Sequence, residues 1–232
     1  MLWLHQVHHL RPATRDRFAQ VVQERWLPEV ATRPDTRLAW FATSTRGAVH
    51  ADEAVTITGV ADGAALAELG ARVHSGDLTD LAAELSSLRD GVQTRILEPL
   101  DYDPFAVTSV TEIPAQPGTG PSRSYMHDFV PPTFGNMRAY EDMMRERYMA
   151  LTEQDLSGVA LRASWRTVPG GGPVPEMFNL SEIRSTAALE RLVTEEIPRE
   201  YKAMGTWMWT ALATRDRWTT RLLRSAPWSP LQ

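Results

Sequence analysis

The chain is written twice. Residues 125–228 repeat residues 1–102 in degraded form. Leu4-His5-Gln6-Val7 aligns with Met126-His127-Asp128-Phe129 at an offset of 127 − 5 = 122. The same offset carries Thr14 onto Asn136, Phe18 onto Tyr140, and Glu24-Arg25-Trp26 onto Glu146-Arg147-Tyr148. Residues 63–69 match 186–192 at 186 − 63 = 123, and Thr94-Arg95-Ile96-Leu97 matches Thr220-Arg221-Leu222-Leu223 at 220 − 94 = 126. Loop insertions produce such a drift. Two copies of roughly a hundred residues specify a fused pair of domains and not a solenoid, whose repeats are shorter and more numerous.

Each copy reads β-α-β-β-α-β. In the first, Leu2–Leu10 alternates as a strand, and Pro12 and Thr14 open a helix carrying Phe18, Val21, Val22, Arg25 and Trp26 at helical spacing. A hairpin over 37–45 and 54–60 follows, then a helix over 64–88 broken near Ser75-Gly76, and a last strand over 94–100. In the second copy the strands are expected at 125–130, 159–167, 177–183 and 219–224, with helices at 136–151 and 187–213. Thr14 and Asn136 are suited to cap their helices. The Pro- and Gly-rich stretch 113–121 lies in an expected linker. The expected division is 1–105, a linker at 106–123, and 124–232. This element order is the split βαβ, ferredoxin-like unit, whose sheet carries helices on one face only. The other face must be buried, so the two sheets are expected to pack together within one chain.

Composition removes several classes. The chain has 232 residues and a net charge of −5, from 24 basic and 29 acidic side chains. Phosphate neutralisation needs clustered cations, so nucleic acid is not an expected partner. There is no cysteine, which excludes disulfides, thiolate nucleophiles and Cys-ligated zinc. No apolar run approaches the roughly 18 residues of a bilayer span, and the start turns polar at His5 without a basic leader. The expectation is a cytoplasmic protein with no membrane partner, present as a monomer or a homodimer.

The Leu2–Leu10 strand, the Arg11-Pro12 turn and the helix ending Glu24-Arg25-Trp26-Leu27-Pro28 resemble the dimeric α+β barrel superfamily, and most closely its NIPSNAP-like branch. The resemblance covers both copies. It implies an α+β fold of two tandem ferredoxin-like repeats forming an intramolecular barrel. Relatives include polyketide cyclases, cofactor-free monooxygenases, isomerases, stress proteins and haem enzymes, so fold alone does not fix function. What it implies is a tailoring enzyme of bacterial specialised metabolism. Such an enzyme cyclises or oxygenates a small hydrophobic aromatic or polyketide-like substrate. No organic cofactor is expected, with haem as the alternative group. A non-catalytic NIPSNAP-like binding or stress protein is the alternative function.

Strand alternation nominates the site. One set contains Trp3, His5, Val7, Val55 and Ile57, matched by Tyr125, His127, Phe129, Phe178 and Leu180. Being apolar, it is expected to face the helices. The other set contains Gln6, His8, Thr56 and Thr58, matched in the second copy by Asp128, Asn179 and Ser181, joined by Ser164 and Arg162. It is expected on the open face. His8 is the candidate proton-transfer group, since imidazole titrates near neutrality. Asp128 is expected beside Arg162 as a base or orienting carboxylate, so the second copy is expected to hold the main site. His5 and His127 recur at one position, and the resemblance makes a first-strand histidine a candidate acid–base group. Their apolar neighbours instead favour core histidines. The histidines of the first strand point alternately up and down, which does not suit a shared metal ion. His9, His50 and His74 are expected in solvent. Pro169–Pro173 joins two strands with no helix after it, so it is read as a hairpin loop and not a phosphate loop. Trp207-Met208-Trp209 is expected to pack a helix on the sheet.

Overall fold

The computed structural model describes residues 1–45, 52–153, 158–196 and 199–231. His50 lies outside them. The eight strands are β1 (Leu2–Leu10), β2 (Thr36–Ser44), β3 (Glu53–Val60), β4 (Arg89–Pro99), β5 (Ser124–Val130), β6 (Val159–Thr167), β7 (Met177–Ile183) and β8 (Thr219–Ser225). The helices are α1 (Arg15–Val21), α2 (Leu27–Val30), α3 (Gly63–Ser75), α4 (Thr79–Ser87), α5 (Met137–Met143), α6 (Met149–Glu153), α7 (Thr186–Thr194) and α8 (Trp207–Thr214). The β-α-β-β-α-β order occurs twice, and the class is α+β.

The chain divides into two compact units. The first comprises Met1–Glu98, Ala106–Arg123 and Leu223–Gln232, the second Pro99–Phe105 and Ser124–Leu222. In the first unit β1 lies between β3 and β4, and β3 lies between β1 and β2, all antiparallel. The end of β8 adds to β2 through Ala42, Thr43 and Ser44. In the second, β7 lies between β5 and β6. Residues of the expected linker pack within the first unit. Val110 and Ile113 are buried, and Gly118 donates its amide to the Trp228 carbonyl. Gly59 makes this close approach possible, because a Cβ there would sit 2.7 Å from Ile113 Cδ1 and 3.1 Å from Trp3.

Two irregularities are repeated. Between α1 and α2, Val22–Trp26 forms a π-helical turn, and Met144–Tyr148 forms another between α5 and α6, 144 − 22 = 122 positions later. Such turns are rare and insert one extra residue, which re-aims the side chains that follow. The second irregularity is a β-bulge, between Leu38 and Trp40 in β2 and between Leu161 and Ala163 in β6.

Sequence expectations fail at three local points. Thr14 and Asn136 occupy the helix N-cap positions but make no capping bond. Thr14 Oγ1 donates instead to the Arg11 and Leu88 carbonyls, and Asn136 Nδ2 to Thr133 Oγ1. The side-chain caps are Asp62, Ser185 and Thr206, which accept from the amides of Ala65, Ala188 and Trp209. The single helix expected over 187–213 is two helices, α7 and α8, capped separately by Ser185 and Thr206. On α8, Met208 is buried and Trp207 packs edge-on against Tyr148 at 5.0 Å, but Trp209 is half exposed. Among the described residues no helix is long and apolar enough to cross a membrane.

Candidate functional site

The polar residues nominated by alternation do share a face, but it is the face that carries the helices. Leu2 and Leu4 of β1 pack with Phe18, Val22, Leu69 and Leu85 in the helix-side core of the first unit. His8 lies 4.9 Å from the Phe18 ring of α1. The assignment of Gln6, His8, Thr56 and Thr58 to the open face is therefore corrected, and so is the assignment of Trp3, His5, Val7 and Ile57 to the helices. The reason lies in relative polarity. The face away from the helices is the more thoroughly apolar of the two, with Trp3, Trp40, Val55 and Ile57 fully buried. The helix face tolerates polar groups because it holds a cavity.

That cavity has a volume of about 200 Å3 and lies wholly within the first unit. Gln6, His8, Thr56 and Arg89 form its polar wall, and Phe18, Val22, Trp26, Leu69 and Leu85 are among its apolar lining. The π-helical turn supplies Val22 and Trp26. Gln6 and Thr56 are register partners on β1 and β3, and Gln6 Nε2 donates to Thr94 Oγ1 at 3.2 Å. His8 is 3 % exposed. Arg89 Nη1 lies 2.6 Å from His8 Nδ1, and a guanidinium can only donate, so Nδ1 accepts. The proton then sits on Nε2, which donates to Thr56 Oγ1 at 2.9 Å. Burial, and after it the charge of Arg89, holds the His8 pKa well below its ordinary value. His8 is thus a neutral imidazole of fixed tautomer.

The second unit carries a different polar group at the matching place. Asp128, Asn179 and Ser164 are register partners across β5, β7 and β6. Asp128 Oδ1 accepts from Trp218 Nε1 at 2.9 Å and Thr220 Oγ1 at 2.5 Å. Burial raises its pKa, and the hydrogen bonds from Thr220 and Trp218, and after them the charge of Arg215, oppose that rise. Arg215 donates to the Tyr140 hydroxyl at 3.1 Å and lies 4.6 Å from the Trp218 ring centre. Burial pushes the Tyr140 hydroxyl up to about 12. Ser164 Oγ donates to Asn179 Oδ1 at 2.8 Å, and the Ser164 amide donates to Asp103 Oδ1 at 2.9 Å. Ser181 and Thr58 are fully buried on the same helix-facing rows.

Arg162 does not join Asp128. It pairs through Nε with Glu182 Oε2 at 2.8 Å. The bulge between Leu161 and Ala163 breaks the alternation that had grouped Arg162 with Ser164. Arg166 instead reaches Glu141 of α5 at 3.0 Å. His127 is fully buried beside Phe129, at 4.6 Å, and Phe178, at 6.3 Å. His5 is likewise fully buried, opposite Ile57. Neither lines the cavity. Arg89, Arg215, Trp218 and Tyr140 were not singled out from the sequence. The repeat held the signal, because Arg89 and Arg215 match at the offset of 126 that pairs Thr94 with Thr220.

Among the described residues no cluster of three or more His, Asp or Glu side chains could hold a metal ion. Haem, which the resemblance admits, does not fit this cavity. A macrocycle far exceeds about 200 Å3.

No family model matches the chain, and no curated protein matches it. Solved structures do. An anthrone oxidase-like protein superposes with a TM-score of 0.70 at 10% identity, covering 97% of this chain and 91% of its own. A candidate monooxygenase from Lactobacillus acidophilus NCFM gives 0.59 at 10% identity, with coverages of 96% and 93%. Chlorite dismutase from Candidatus Nitrospira defluvii gives 0.56 at 13% identity, covering 97% and 91%. At these identities the likeness shows the fold, which is that of the dimeric α+β barrel proteins with two ferredoxin-like repeats in one chain.

Proposed function

We propose that the protein is a small-molecule enzyme that activates an aromatic substrate by proton transfer at His8, without a bound organic cofactor. The observation that carries this reading is the trio His8–Thr56–Arg89 in the wall of an otherwise apolar cavity. A few placed polar groups in an apolar concavity are the usual form of a ligand site. A cavity of about 200 Å3 suits a single substituted ring, since roughly 150 Å3 already admits benzene.

The chemistry follows from the hydrogen bonds. A neutral imidazole is in the state a general base needs. Its lone pair is on Nδ1, held by Arg89. When Arg89 turns to an acceptor on the substrate, that lone pair is freed. Nδ1 then takes a proton from an acidic C–H or O–H, the N–H bond forms, and the electron pair stays on the substrate. Thr56 holds Nε2 and so fixes the ring throughout. The resulting carbanion or phenolate either closes from carbon on an electrophile of the same molecule, or is oxidised by dioxygen, forming a C–O bond as a hydroperoxide that loses one oxygen as water and leaves the other on the product. The similarity to an anthrone oxidase-like protein and a candidate monooxygenase supports the second course.

The test is turnover of hydroxylated monocyclic aromatics, followed by an oxygen electrode and product mass. Oxygen uptake with a gain in product mass identifies the oxygenase, and an isomeric product without uptake the cyclase. His8→Gln should lower the rate by about a hundredfold, the usual scale of general base catalysis. Unchanged turnover in a folded His8→Gln protein refutes the assignment.

A further inference from the structure

Arg89 poses a problem that the first repeat does not solve internally. Its guanidinium is partly buried at the cavity wall, and burial lowers its pKa. Its hydrogen-bond partners are His8 Nδ1 and, at 3.4 Å, Ser86 Oγ. Neither carries negative charge, and among the described residues no Asp or Glu lines the cavity. A charge withdrawn from water is ordinarily paired.

The second repeat differs in having a carboxylate near its own arginine. Arg215 stands where Arg89 stands, at 215 − 89 = 126, and Asp128 stands where Gln6 stands, at 128 − 6 = 122. The frame around them is shared. Thr220 donates to Asp128 as Gln6 donates to Thr94, and Thr220 matches Thr94. Trp218 stands between Asp128 and Arg215, its Nε1 donating to Asp128 Oδ1 at 2.9 Å and its ring centre 4.6 Å from the Arg215 guanidinium. So one copy has a buried arginine with a carboxylate on the far side of Trp218, and the other has the arginine, a neutral glutamine and a cavity.

We propose that the first-repeat cavity takes a small aromatic anion, a carboxylate or phenolate on one ring, whose charged oxygen pairs with Arg89. The ring lies among Phe18, Val22, Trp26, Leu69 and Leu85. The ligand thereby brings to Arg89 a negative charge for which the second repeat has Asp128 in the position of Gln6. It also draws Arg89 off His8 Nδ1, so substrate binding itself would arm the base. This deepens the reading of the cavity as the enzyme's site and rests on it.

Benzoate and benzamide are the probes, because they share a ring and a planar head but differ in charge. Calorimetric titration of the whole protein should show benzoate binding at least about tenfold tighter than benzamide, equivalent to 1.4 kcal/mol. Arg89→Met should abolish that preference while leaving benzamide binding in place. Gln6→Asp tests the same point with the arginine retained, since it restores the internal carboxylate of the second repeat. It too should abolish the preference. Equal binding of the two probes, or a benzoate preference that survives both substitutions, overturns the inference. A protein that turns over neutral rings and shows no anion preference contradicts this inference alone. One that prefers benzoate through Arg89 but performs no chemistry supports it and contradicts only the proposed catalysis.

Discussion

Asp103 places a measurable pH dependence in the fold. It lies just after Leu100, and its Oδ1 accepts from the amides of Ser164, at 2.9 Å, and Phe105, at 3.1 Å. Burial nevertheless outweighs these bonds and raises its pKa from 3.8 to about 6. The folded state therefore holds this proton more tightly than the unfolded chain does. Stability then falls as pH rises from below 3.8 through about 6 and is level above it. At roughly 1.4 kcal/mol per pH unit the full difference is about 3 kcal/mol. Between about pH 4.5 and about pH 7.5 the accessible part is about 2 kcal/mol. Asp103→Asn removes the titration and keeps an oxygen for both amides. Any bond to a third donor that the amide NH2 spoils adds an offset that does not vary with pH. Urea unfolding of both proteins across this range isolates the titration. The wild type should lose about 2 kcal/mol relative to the variant on going from acid to neutral pH. Parallel curves, or a wild type that gains on the variant as pH rises, would refute the burial argument.

Other substitutions probe separate features. Gly158→Ala should destabilise by about 1–3 kcal/mol in a thermal melt, because φ is +71° and the new Cβ would sit 2.6 Å from Ala188 Cβ. Asp62→Ala and Ser185→Ala should each cost about 1 kcal/mol, since they cap α3 and α7 at matching places in the two repeats. Thr14→Ala should owe its cost to the bonds with Arg11 and Leu88 and not to capping, so Thr14→Asn, a good cap elsewhere, should not rescue it in urea titrations. Gly70→Ala should stabilise α3 by about 0.5–1 kcal/mol, as a Cβ there meets nothing within 4 Å.

The repeat made the element order legible, and with it the fold, because self-similarity survives even where single residues have drifted. Alternation also sorted the residues of β1, β3, β5 and β7 into two sets correctly. It could not say which set faces the helices. Hydrophobicity usually decides that, and here Trp3, Trp40 and Ile57 lie opposite the helices while His8 and Thr56 lie beneath them. The pairing of Asp128 with Arg162 failed for a local reason, since a bulge shifts the phase of β6 at that residue. Arg89 was not legible because it opens a strand whose sequence pattern starts only at Thr94, five residues later by number. The expected helix over 187–213 failed because Thr206 starts a new one. Its short side chain accepting from Trp209 is a tertiary-neutral signal that the apolar run after it obscured.

The most direct measurement is a crystal structure of the protein soaked with benzoate. The ring is expected among Phe18, Trp26 and Leu85, with its carboxylate on Arg89 and the Arg89–His8 contact opened beyond its present 2.6 Å. A benzoate bound beside Asp128 and Arg215, or against His127 and Phe178 on the face away from the helices, would contradict the placement of the site in the first repeat.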